Sequence, residues 1–73
     1  MNTEKLLQEM IAHQQSKLLA CGQQIIPNLT ADDMLQPNDF IALENHPAFR
    51  YEEGHLAGLL AVQMAIRAES FRT

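Results

Sequence analysis

Between Leu56 and Ile66 the chain reads Leu-Ala-Gly-Leu-Leu-Ala-Val-Gln-Met-Ala-Ile, and Gln63 is its only polar residue. A helix made from this run is apolar around most of its circumference, more than one neighbour can cover. It therefore calls for burial against at least two partners. The whole chain has only 73 residues, and a chain that short encloses one small core of about 3 to 5 kcal/mol net stability. Small domains usually add disulfides, a metal or a second copy. Cys21 is the only cysteine, so no disulfide forms within the chain.

The rest of the sequence arranges itself around this run. From residue 3 to about residue 25 apolar side chains recur at helical spacing: Leu6, Leu7, Met10, Ile11, Leu18, Cys21 and Ile25. At about 100° per residue they share one arc, with Gln8, Glu9, Gln15, Ser16 and Gln23 opposite. Gln14 lies near the middle of the apolar arc, where an amide reads as a hydrogen-bonded core residue that sets register. Gly22 weakens the last turn, and Pro27 stops the helix.

The connector has its own punctuation. Thr30 suits an N-cap, Asp33 follows at the third helical position, and Leu29 and Met34 stand where a hydrophobic staple would. A short helix over 31–35 is expected, ended by Pro37. A second is expected over 39–43, with Phe40, Ile41 and Leu43 pointing inward. Pro47 then suits the first position of a long helix over 47–70, with His46 or Asn45 as its cap.

These signals predict an all-α fold, one domain, in which two long helices form an antiparallel hairpin with one or two short helices in the connector. On the long C-terminal helix Tyr51, Leu59, Val62 and Ile66 form one sector of large residues, and Phe49, Leu56, Leu60 and Phe71 form another. A strip of Gly54, Ala57, Gly58, Ala61, Ala65 and Ala68 separates them. Glycine inside a helix costs about 1 kcal/mol relative to alanine, so two of them suggest a close helix crossing. Each large side chain gains roughly 1.5 to 3 kcal/mol on full burial. The expectation is that the first helix covers one sector and a second subunit the other, in a dimeric four-helix assembly. The interface residues would be Tyr51, Gly54, Gly58, Leu59, Ala61, Val62, Ala65 and Ile66. A monomer in which the connector covers the second sector is the competing arrangement.

Charge narrows the partners. The net charge is -4, and the connector carries all of it: Asp32, Asp33, Asp39 and Glu44 stand between Pro27 and Phe49 with no Lys or Arg before Arg50. Phosphate neutralisation needs clustered bases, so nucleic-acid binding is not expected. The Leu56–Ile66 run is shorter than the roughly 20 residues that span a bilayer, so no membrane association is expected either. The opening residues lack a basic stretch followed by an apolar one, and with one unpaired cysteine this predicts a cytoplasmic protein.

Catalytic signatures are absent from the sequence: it has no Gly-rich phosphate loop, nucleophile elbow or paired zinc-type cysteines. The reading is a non-catalytic interaction or adaptor module with no cofactor. Arg and Tyr are favoured at interface hot spots, which makes Arg50 and Tyr51 the first place to look for contact with another protein. The alternative is a metal-binding or redox four-helix protein. Glu52 and His55 have the Glu-x-x-His spacing that puts two ligands on one helical face, with Glu9 and His13 as the complement.

Overall fold

The computed structural model describes residues 2–72, and these are all-α. Helix α1 runs Thr3–Ile25, α2 is a single turn at Ile41–Glu44, and α3 runs Pro47–Ser70. Asn2 caps α1 by accepting from the Lys5 backbone N–H at 3.0 Å, with Glu4 in the first turn beside the positive helix end. At the other end Ile26 N–H reaches back to Gly22 O at 2.8 Å before Pro27 ends the helix.

The two long helices run antiparallel. Glu4 meets Arg67, Gln14 meets Glu52, and Gly22 lies beside Phe49, so residues early in α1 face residues late in α3. The buried side of α1 is Leu7, Ile11, Gln14, Leu18 and Gly22, a row with the spacing of a helix seam. The densest packing sits at the closed end of the hairpin. Leu18, Leu29, Leu43 and Phe49 form one buried cluster, and Leu43 and Phe49 are 0% exposed.

The connector departs from the expected two helices over 31–35 and 39–43. It contains a 3-10 turn at Asp32–Leu35, a second at Pro37–Asp39, and then α2. Thr30 and Asp33 cap each other: Thr30 N–H donates to Asp33 Oδ2 at 2.9 Å, and Asp33 N–H donates to Thr30 Oγ1 at 3.3 Å. This is the reciprocal pairing of a capping box. Pro37 begins the second turn as well as ending the first, because its fixed φ suits an opening position. That shifts the following helix toward Glu44 and turns Ile41 outward, leaving it 73% exposed. Only Phe40 and Leu43 of the expected inward trio pack on the core.

The molecule is a rod of 45 × 21 × 20 Å with a radius of gyration of 14.2 Å. A compact chain of this length would have a radius near 11 Å. Its accessible surface is 5403 Å², whereas a compact monomer of this mass exposes about 4,500 Å². The chain leaves about 900 Å² more surface in water than its size requires.

Candidate functional site

Helix α3 divides between an inner and an outer face. Glu52, Leu56, Leu59, Gln63 and Ile66 are half-buried, and their alternating steps of four and three place them on the side of α1. Leu59, Val62 and Ile66 line an open groove with Leu6, Leu7 and Met10 of α1, and Leu6, Met10 and Val62 remain about half exposed. Phe49 and Leu56 pack instead on the cluster that the connector completes with Leu29 and Leu43. Each large-residue sector is thus partly covered within the chain: Leu59 and Ile66 lie against α1 and Phe49 and Leu56 on the core cluster, while Tyr51, Val62, Leu60 and Phe71 stay exposed.

The small-residue strip lies wholly outside. Gly54, Ala57, Gly58, Ala61, Ala65 and Ala68 are all exposed. A Cβ built on Gly54 or Gly58 would meet nothing within 4 Å, so neither glycine serves a crossing with α1. Of the expected interface residues, Leu59 and Ile66 turn toward α1, while Tyr51, Gly54, Gly58, Ala61, Val62 and Ala65 are exposed. Tyr51 is 72% exposed and Met64 71%.

Arg50 stands at the head of this outer face and is engaged with the connector. Its Nε donates to Glu44 O at 2.7 Å, its Nη1 pairs with Glu53 Oε1 at 2.6 Å, and its Nη2 reaches Asn38 Oδ1 at 3.5 Å. The guanidinium has a fixed fork of donors, and here the fork staples the start of α3 to the loop before it. His46 caps α3 through backbone geometry alone, and its Nδ1 is buried without a hydrogen-bond partner.

Glu52 belongs to a different set of contacts from the one expected. Gln14, 2% exposed, donates from Nε2 to both the backbone O and the Oε1 of Glu52, each at 3.0 Å. Lys17 Nζ lies 3.3 Å from Oε2. The Gln14 hydrogen bond, aided by Lys17 and a smaller pull from His55, holds the carboxyl below its ordinary value against an opposing desolvation effect. Glu9, His13 and His55 do line one groove, together with Gln14. Among the described residues, however, no group of three or more His, Cys, Asp or Glu side chains is placed to hold a metal ion. Glu52 is engaged by an amide and an ammonium of α1, which ties the two helices together.

Cys21 is half-buried against the core cluster, as a small hydrophobe would be. Sequence reasoning missed Lys17 as the partner of Glu52. Its spacing of three from Gln14 puts both on one side of α1, and that was the available signal. No helix of the described residues is long and apolar enough to cross a membrane. Comparison of the chain with family models, with curated proteins and with solved structures gives no match.

Proposed function

We propose that this chain is a small non-catalytic interaction module that pairs with a second copy of itself through the outer face of α3, giving a dimeric four-helix assembly. The observation that carries the reading is that face: from Gly54 to Ala68 no polar or charged side chain interrupts it, and it is exposed. A solvent-facing helix normally presents charged and polar residues there. The surplus of about 900 Å² over a compact monomer, spread over the whole rod, leaves room for the roughly 800 Å² per partner that a standard stable interface buries. The unpaired Cys21 accords with a reducing compartment, so the cytoplasm is the setting that goes with this reading.

Light scattering coupled to size exclusion tests it. At micromolar concentration the expected mass is twice the 8.2 kDa of the chain, with a melting temperature that rises with protein concentration, as mass action demands of a dimer. A single-chain mass and a concentration-independent melting temperature would remove the proposal.

A further inference from the structure

The outer face has an order that assigns it a direction of pairing. Tyr51, Gly54, Gly58, Ala61, Ala65 and Ala68 follow one another in steps of three and four alternately, and all six are exposed. That alternation is the seam of a coiled coil, and it reads the same when the chain direction is reversed. We propose that two copies of α3 cross antiparallel along this seam, in a register centred between Leu59 and Leu60. Gly54 then lies against the partner's Ala65, and Gly58 against the partner's Ala61. The inference rests on the self-association proposed above and adds its orientation and register.

Three observations favour this pairing over a parallel one. The first is size. In the antiparallel register Tyr51 falls opposite the partner's Ala68, a large side chain against a small one, whereas a parallel pair would press Tyr51 against Tyr51. The second is charge. Arg50 arrives beside the partner's Glu69, while a parallel pair would set Arg50 beside Arg50 and Glu69 beside Glu69. Within the chain Glu69 pairs with the exposed Arg72, and Arg50 pairs with Glu53 while also holding Glu44 O and Asn38 Oδ1. Ion pairs near the surface re-sort at little cost, and the bonds of Arg50 to the connector stay in place.

The third observation concerns the ends of the rod as wholes. The closed end holds Asp32, Asp33, Asp39 and Glu44, and Arg50 ties Asn38 and Glu44 to the head of the outer face. At the open end Lys5, Arg67 and Arg72 outnumber Glu4 and Glu69. Antiparallel pairing sets the acidic end of one copy against the basic end of the other. Parallel pairing would bring two acidic connectors together, a repulsion between like charges. It would also crowd the two connectors, which are the bulkiest part of each rod, at one end.

Disulfide trapping tests the register. Two variants, Gly54→Cys and Ala65→Cys, are each made in a Cys21→Ala background and equilibrated in a glutathione buffer, separately and as an equal mixture. Both sites are exposed and Gly54 has no neighbour within 4 Å of a Cβ, so the hairpin itself tolerates them. In the proposed register residues 54 and 65 of different copies are opposed, while identical sites are about 16 Å apart along the axis, beyond the reach of about 7 Å for a disulfide. The mixture is expected to give at least about ten times more linked dimer than either variant alone, on that difference in reach. Efficient linking of Gly54→Cys with itself would overturn the proposal in favour of a parallel pair. A dimeric mass with no linked species in any sample would overturn the register while leaving self-association standing. A single-chain mass would remove both.

Discussion

The amide of Gln14 donates to both the backbone carbonyl and the carboxylate of Glu52, and with this one side chain α1 grips α3 twice. Apolar packing along a hairpin of this kind is tolerant of sliding, because one leucine substitutes readily for the next. A buried amide is not tolerant. Displaced by a turn, its Nε2 would be left without acceptors, at a cost of about 1 to 3 kcal/mol. Lys17 adds a charge on the open side of the same carboxylate. The register of the two long helices is therefore set by a polar contact between the middle of α1 and the second turn of α3, while the apolar cluster at the closed end supplies cohesion.

That contact has a consequence for acid stability. The folded state lowers the affinity of Glu52 for protons, chiefly through the Gln14 hydrogen bond, from an ordinary value of 4.5. The unfolded chain thus binds a proton at higher pH than the folded one. The contribution is present above the ordinary value and is lost as pH falls through the lower folded value. Urea midpoints should decline as pH drops from about 5 toward 3, and Glu52→Gln, which cannot titrate, should flatten that decline. Gln14→Leu should flatten it too, by removing the largest cause of the shift. Identical slopes for all three proteins would show that the tie does not form in solution.

Gly22 is closely packed by the connector and the head of α3. A Cβ placed there would stand 2.5 Å from Leu29 Cδ2 and 3.4 Å from Phe49 Cε1. Both neighbours belong to the buried cluster, Leu29 at 2% exposure, so neither can swing aside into solvent. Gly22→Ala gains about 1 kcal/mol in helix propensity and loses roughly 1 to 3 kcal/mol to overpacking. The expected net loss is about 1 kcal/mol, a fall in melting temperature of about 4 to 8 °C for a domain of this size. A rise in melting temperature would mean that Leu29 re-packs freely.

Pro27, Pro47 and the apolar arc of α1 made the two long helices legible in the sequence, because a missing N–H and a 3.6-residue period act locally. Gln14 was legible for the same reason, since an amide within an apolar arc must find partners. Gly22 was not. Read alone it is a weak helix residue; only the fold brings Leu29 back against it from a turn later in the chain. Pro37 was half-legible, as a proline can end one turn and begin the next, and which it does depends on where Leu43 must be buried. The outer strip of α3 was visible as a sequence pattern. That α1 and the core cluster would take Leu59, Ile66, Phe49 and Leu56, and leave the strip facing outward, followed only from three-dimensional packing.

The strip makes one substitution diagnostic. Gly58→Leu replaces a poor helix former with a good one, worth about 1 kcal/mol to α3, and a Cβ there meets nothing within 4 Å. For a chain that stays single, the change can only stabilise. For a pair crossing at Gly58, four added carbons hold the helix backbones apart and deprive the seam of its contacts. The expected outcome combines the two effects: helical circular dichroism is retained or raised, while the mass at micromolar concentration falls to that of one chain and the melting temperature loses its concentration dependence. A variant that stays dimeric with a higher melting temperature would show that the copies meet elsewhere. Loss of helical signal would contradict the open surroundings of Gly58 instead, and would place that residue in a contact within the hairpin.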